Sequence, residues 1–388
     1  MDFPQFNRAI GKKLFLLVKF LAMSKRILVV TGGGDCPGLN AVIRGIVKSA
    51  KLDGNWEIIG SMESYNGLLK DKIEIMPLTE KEVAGIHVKG GTIIKTTNRG
   101  GPFNFPVQQS DGSWKTEDRT KVLLERLDDL GIEAIISIGG DGSQRISLEL
   151  AKLGVNIVGV PKTIDNDLSC TDFTFGFQTA VEIATEAVDK LVTTAESHNR
   201  VFILEVMGRD AGWIALYTAL GGGADVCIIP EIPYDPKIIA QKIATRYKDG
   251  EGFCNIVIAE GAKDIAGQIT GKAPTAIGDE HIKLGGAGDK LKYELQQLGV
   301  QYDIRVTVLG HLQRGGIPIA YDRILATAFG VKAFELVKEK KYGSMVVYNH
   351  PEITHVSLEK VVEKSNFINP KTNSFLCAAK KIGISFGD

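Results

Sequence analysis

A chain of 388 residues with 46 basic and 46 acidic side chains is long enough for one large or two ordinary domains with real cores. Zero formal charge and no basic stripe argue against nucleic acid as a partner. The five cysteines, Cys36, Cys170, Cys227, Cys254 and Cys377, are scattered and form no Cys-x-x-Cys pair, which argues against structural zinc and for a reducing, cytoplasmic setting.

Residues 1–23 read as an N-terminal extension. Lys12-Lys13 followed by Leu14–Ala22 imitates a signal peptide, but Lys19 interrupts the apolar run, which is also too short to cross a membrane. Lys25–Val30 predicts the first strand. Thr31–Asn40 is a glycine-rich turn into a helix with apolar Ala41, Val42, Ile46 and Val47, a phosphate site by geometry. A dinucleotide-dependent oxidoreductase would share this start, although its Gly-x-Gly-x-x-Gly spacing fails at Pro37. A strand at Trp56–Gly60 and a loop at Gly90–Arg99 follow. Residues 102–118 are polar, turn at Asp111-Gly112 and read as a surface insertion; 120–130 predict an amphipathic helix.

Two short β-branched runs come next, Ala134–Ile138 and Val155–Val160, each reading as a buried parallel strand. The first delivers Gly139-Gly140-Asp141-Gly142-Ser143 and the second Pro161-Lys162-Thr163-Ile164-Asp165-Asn166-Asp167. Both segments therefore stand at carboxyl ends of strands, where open α/β sheets place their sites. Glycines let backbone N–H groups approach a phosphate. Asp141 is an oxygen ligand suited to Mg²⁺. Asp165 and Asp167 offer a base and a second carboxylate. These are the parts phosphoryl transfer requires. Plain strand-to-helix turns with solvated acids are the bland alternative, but they do not demand this residue set at both ends.

Thr174–Ala180 opens a long helix with a Val181, Ala184, Val188, Leu191, Val192 stripe that reads as core, ending at Ser197–Arg200. The strand Val201–Val206 delivers Met207-Gly208-Arg209-Asp210. Further strands are predicted at Val226–Ile229, Asn255–Ala259 and Ile304–Leu309. Residues 263–290 read as a glycine-rich insertion, and no internal repeat is visible. Arg200, Arg209, Glu260, Arg305, His311 and Arg314 lie at or near strand ends. Several arginines with a histidine suit a sugar phosphate, because guanidinium groups bind phosphate oxygens bidentately.

The GGDG and PKTIDND segments together resemble the 6-phosphofructokinase family, over nearly everything from residue 25 to about 340. The resemblance implies an α/β fold of two Rossmann-like three-layer domains with the site in the cleft between them. The larger, donor-binding domain takes 24–176 plus 313–363, and the smaller, sugar-phosphate domain takes 177–312 plus 364–388. It implies transfer of the terminal phosphoryl group of ATP to the 1-hydroxyl of fructose 6-phosphate, in the cytoplasm, by a homo-oligomer (dimer or tetramer) with no membrane or nucleic-acid partner. Asp165 is then the base, with Thr163, Arg209 and the Gly34 N–H stabilising the transferred group. Gly33, Gly34, Gly140, Asp141, Gly142, Ser143 and Lys162 bind the donor, along with Asn98 or Arg99, since the family's bridging arginine falls one residue late here. Mg²⁺ is held at Asp141, with Asp167 as a second carboxylate also near the sugar. Met207, Gly208 and Glu260 touch the sugar; His311, Arg314, Arg200 and Arg305 hold its 6-phosphate, the last pair from a neighbouring subunit.

Two donor markers disagree. Gly142, where pyrophosphate enzymes carry Asp, leaves room for the nucleotide; Lys162 is the residue pyrophosphate enzymes use. A blocking Asp excludes ATP sterically, whereas a Lys can fold back, so ATP is expected and pyrophosphate is the alternative. Ile146 departs from the glycine of short bacterial ATP enzymes. A regulatory paralogue subunit would be expected to lack the base, which is present. Arg44 is kept at the effector positions, but Lys48, Lys72 and Val192 replace arginines, implying little response to ADP or phosphoenolpyruvate.

Overall fold

The computed structural model describes residues 25–272 and 283–388. The expectation of an N-terminal extension therefore falls outside the described residues, as does the middle of the 263–290 insertion. Strand β1 (Lys25–Thr31) is followed by α1 (Leu39–Asp53), β2 (Trp56–Ser61), β3 (Ile75–Pro77), a hairpin of β4 (Phe105–Gln108) and β5 (Trp114–Glu117), α2 (Thr120–Asp129), β6 (Ile132–Gly139), α3 (Asp141–Lys152), β7 (Ile157–Thr163) and β8 (Phe175–Gly176). Then come α4 (Phe177–His198), β9 (Val201–Val206), α5 (Trp213–Gly222), β10 (Val226–Ile228), α6 (Pro236–Lys248), β11 (Cys254–Ala259), the short pair β12 (Gly271–Lys272) and β13 (Lys283–Leu284), α7 (Ala287–Gln297) and β14 (Ile304–Val308). A 3₁₀ turn (Gly310–Arg314), α8 (Ala320–Lys338), β15 (Ser344–Asn349), β16 (Glu352–Ser357) and α9 (Ser374–Lys381) close the chain.

Among the described residues an eight-stranded sheet runs β16-β15-β7-β6-β1-β2-β3, with β8 paired to β7; a four-stranded sheet runs β10-β11-β9-β14. The β1, β2, β6 and β7 ladders are parallel, and both faces are covered by helices, so the strands can be apolar on both sides. Between β1 and β6 the order reverses direction, with β2 on one side and β7 on the other. Such a switch point leaves a crevice beyond the carboxyl ends of the two strands. One apolar cluster joins the two sheets: Ile27 and Ile136 of the first, Phe175 and Phe177 at the junction, Leu204 and Val257 of the second.

Helix α1 buries Leu39, Val42, Ile43, Ile46 and Val47. It crosses α8 at a contact too close for larger residues. A Cβ on Gly45 would stand 2.6 Å from the Thr327 carbonyl oxygen, and one on Gly330 2.3 Å from that of Val42. The 102–118 insertion forms the β4–β5 hairpin, whose strands expose most side chains. Two boundaries differ from the sequence reading. Lys162 and Thr163 belong to β7 rather than to the loop after it, because β8 pairs with both. The long helix starts only at Phe177, after left-handed Gly176. Among the described residues no helix is long and apolar enough to cross a membrane.

Candidate active site

The glycine turn after β1 is fixed by its neighbours. Gly32 N donates to the Ile138 carbonyl at 2.9 Å and Gly33 N to the Thr97 carbonyl at 2.8 Å. The Thr96 hydroxyl donates to the carbonyls of Gly33 and Thr31, at 2.7 and 3.0 Å. The 90–99 loop is thus stapled to the turn, and Asn98 and Arg99 are carried exposed at its rim. Sequence reasoning gave Thr96 and Thr97 no role; the Thr96 hydroxyl faces backbone groups that only the fold brings near, and the Thr97 carbonyl accepts from Gly33 N.

Across the switch point, Gly140 precedes α3, whose first residue is Asp141. The Asp141 carboxylate pairs with Arg145 one helical turn on, at 2.9 Å. A Cβ on Gly142 would meet nothing within 4 Å. Ser143 packs under the glycines, where a Cβ on Gly32 or Gly139 would collide with it. Lys162 is buried, and its ammonium donates to the Gly34 carbonyl. Burial holds that ammonium below its ordinary pKa.

The segment after β7 is tightly wound. Asn166 has left-handed backbone (φ 52°), a conformation Asn tolerates better than most residues. Its Oδ1 accepts from Thr174 N at 2.9 Å, and the Thr174 hydroxyl donates to the Thr163 carbonyl at 2.7 Å. These bonds hold Asp165 and Asp167 on either side of Asn166, with Asp165 N donating to the Thr163 hydroxyl at 3.0 Å. Burial raises the Asp165 carboxyl above its usual range, opposed by the charges of Arg314, Arg209 and Lys162. Asp167 is pushed up to about 7, by burial first and the Asp165 charge second. Each keeps one buried carboxylate oxygen, Oδ1, with no protein partner. A buried acceptor without a partner is costly unless a ligand completes it.

The second sheet supplies the facing wall. Met207 is buried at the end of β9, and Gly208 (φ 144°) and Arg209 (φ 52°) turn the chain sharply. Arg209 N donates to Glu260 Oε1 at 3.4 Å, at the end of β11. Glu260 is pushed up to about 7, by burial and then by the Asp165 charge. Arg314, on the 3₁₀ turn after β14, donates to the Asp35 carbonyl at 3.3 Å and lies against Gly34. His311, on the same turn, is exposed. The structure therefore gathers Gly34, Lys162, Thr163, Asp165, Asp167, Arg209, Glu260 and Arg314 around one crevice.

It does not bring Arg200 and Arg305 there. Both stand at the amino ends of β9 and β14, so the length of β9, about 20 Å, separates Arg200 from Met207. Asp303 binds both: its Oδ2 accepts from Arg200 Nε at 2.7 Å and from Arg305 Nη2 at 3.0 Å.

No cluster of three or more His, Cys, Asp or Glu side chains able to hold a metal occurs among the described residues. Asp141 and Asp167 are close enough for their charges to interact, and Asp167 Oδ1 lacks a partner. That set fits a hard cation held by one or two carboxylates and completed by water and phosphate oxygens, the usual mode for Mg²⁺.

A family model described as Phosphofructokinase matches residues 26–337. The chain is 45% identical to the ATP-dependent 6-phosphofructokinase 2 of Clostridium perfringens, over 94% of this chain and 99% of that protein. It is 46% identical to the ATP-dependent 6-phosphofructokinase of Chloroflexus aurantiacus, over 94% and 98%. Among solved structures, the phosphofructokinase of Saccharomyces cerevisiae superimposes with a TM-score of 0.72 at 30% identity, covering 88% of this chain and 45% of that one.

Proposed function

The chain belongs to the phosphofructokinase family, and we infer from its site that it transfers the terminal phosphoryl group of ATP to the 1-hydroxyl of fructose 6-phosphate. The product is fructose 1,6-bisphosphate, and the step is glycolytic. The observation that carries this reading is the pair of buried carboxylates with unpartnered oxygens between a glycine-turn wall and an arginine wall.

In the proposed division of labour, Asp165 takes the proton from the sugar 1-hydroxyl. Its burial keeps its basicity above that of a solvated carboxylate, and the charges of Arg314 and Arg209 favour the ionised form that accepts the proton. Thr163, Arg209 and the Gly34 N–H stabilise charge developing on the transferred group. Gly33, Gly140, Gly142, Ser143, Asn98 and Arg99 line the donor side; Met207, Gly208, Glu260, His311 and Arg314 line the sugar side. Positioning accounts for most of the acceleration, because a loose phosphoryl transition state needs little covalent help. Mg²⁺ would be held by Asp141 and Asp167, and when bound it supplies neutralisation of the donor phosphates.

The donor-binding unit comprises residues 24–176 and 313–363, and the sugar-binding unit 177–312 and 364–388. The active form is a cytoplasmic homo-oligomer in which the Arg200–Asp303–Arg305 cluster reaches a neighbour's 6-phosphate. The placement of that cluster far from its own chain's crevice supports shared sites. Lys48 pairs with Glu80 at 3.0 Å, which supports a weak response to anionic effectors at that position.

The test is one assay with fructose 6-phosphate and Mg²⁺ comparing kcat/KM for ATP and pyrophosphate. ATP is expected to win by a wide margin; a preference for pyrophosphate would overturn the donor assignment.

A further inference from the structure

Gln313 lies between His311 and Arg314 in the 3₁₀ turn and is fully buried. Its Oε1 accepts from Met207 N at 2.8 Å, and its Nε2 donates to the Ala180 carbonyl at 3.5 Å. One amide therefore ties together the turn after β14, the end of β9 and the first turn of α4. The β14–β9 ladder gives out just before this point: Leu309 N still donates to the Glu205 carbonyl, at 3.0 Å, and then the chain leaves the sheet. Beyond that bond the Gln313 amide joins the two segments to each other.

Each segment carries an arginine next to the anchored residue. Arg314 follows Gln313 directly, and Arg209 stands two residues after Met207, across left-handed Gly208. Arg209 is itself left-handed, a conformation that persists only when its surroundings over-determine it. The bond at Met207 N is the fixed point from which that turn starts. A buried amide costs free energy unless its groups are bonded, so this one is informative as well as structural. Ala180 adds the third anchor, because α4 leads back through Gly176 to Thr163, beside the proposed base.

We propose that Gln313 is a positioning residue of the phosphoryl transfer, setting the spacing of Arg209 and Arg314 across the sugar-phosphate crevice. The proposal rests on the site reading above. Gln313 touches no reacting atom; it acts through the two arginines. Losing it lets the Met207–Arg209 turn and the 3₁₀ turn move apart, which weakens sugar-phosphate binding and leaves the donor wall, built on β1, β6 and β7, in place.

The experiment uses the purified full-length oligomer. Gln313→Met keeps the length but removes both hydrogen bonds; Gln313→Asn keeps the amide but shortens its reach. In both, KM for fructose 6-phosphate and its Kd by calorimetry without ATP are expected to rise at least about tenfold, with KM for ATP within about twofold. Unchanged sugar-phosphate affinity overturns the proposal. So does a parallel rise in both KM values with a fall in Tm, or failure of both variants to fold, since each marks a purely structural amide. Arg209→Ala and Arg314→Ala are measured alongside. If they leave kinetics unchanged, the site reading itself fails; if they impair turnover while the Gln313 variants do not, only this inference fails.

Discussion

The Lys162 ammonium donates to the Gly34 carbonyl, joining the end of β7 to the glycine turn after β1. The lysine that set the two donor markers at odds thus lies folded against backbone rather than across the space over Gly142. A Cβ at position 142 would meet nothing within 4 Å, so Gly142→Asp leaves the fold and Tm intact. Its carboxylate would stand beside the donor phosphates, and such like-charge juxtaposition costs several kcal/mol. The expected fall in kcat/KM for ATP is on the order of 10² or more. Steady-state kinetics with a Tm control check this; unimpaired ATP use would show that the space over Gly142 is not the donor's.

Asp165→Asn removes the proposed base while preserving shape, and the N–H bond of residue 165 to the Thr163 hydroxyl needs no carboxylate. The expected loss in kcat is a factor on the order of 10² or more, with a smaller change in KM. A near-normal kcat would take Asp165 out of the mechanism.

Glu260 gives the pH prediction. Its carboxyl is raised from an ordinary 4.5 to about 7 in the folded chain, by burial first and the Asp165 charge second. Between these values the folded state keeps a proton that the unfolded state releases, so ligand-free stability falls as pH rises from about 4.5 through 7. The favourable contribution is fully present below 4.5 and gone above 7. Glu260→Gln keeps an acceptor for Arg209 N but carries no charge. It should raise the Tm of the ligand-free enzyme at pH 8, by an amount worth roughly 1–3 kcal/mol, and the difference should vanish toward pH 4.5. A Tm difference that does not depend on pH would mean Glu260 does not titrate in this window.

What could be read from the sequence divides along physical lines. The runs before Gly139 and Pro161 are short and β-branched, and glycine or proline bounds them, so the strands and the placement of Asp141 and Asp165 beyond their carboxyl ends were legible. Asp165 and Asp167 stood out because acids are rarely placed after such runs without a task. Gln313 and Asn166 gave no such signal. Gln313 acts by hydrogen bonds to segments far away in the chain, Met207 and Ala180, and Asn166 by left-handed backbone and a bond from Thr174 eight residues on. No periodicity encodes those partners. In the 102–118 insertion the turn at Asp111-Gly112 was legible, but the polarity of its flanks hid the two strands that pair across it. The end of the chain was equally opaque. Strand β15 joins β7 from a distant part of the chain, with Ser344 opposite Val158, and that pairing is set by the sheet rather than by its own residues.

The last prediction concerns subunits. Arg200 and Arg305 share Asp303 at the amino ends of their strands, away from the crevice that their own chain builds. If a symmetric neighbour presents the same pair to that crevice, each site needs Asp165 from one chain and Arg305 from another. Arg305→Ala and Asp165→Asn are then each nearly inactive as homo-oligomers, for different reasons. Mixed in one oligomer they complement. The crevice of the Arg305→Ala chain keeps its own Asp165 and receives an intact Arg305 from the partner; the crevice of the other chain has lost both groups. A hybrid pair has one good site of two, so purified hybrids should regain roughly half of wild-type kcat, and a random mixture, half of whose pairs are hybrids, roughly a quarter. Co-expression of differently tagged chains, with kcat measured on the purified hybrids, decides the matter. A hybrid no more active than the average of its parents would place Arg305 outside the partner's site.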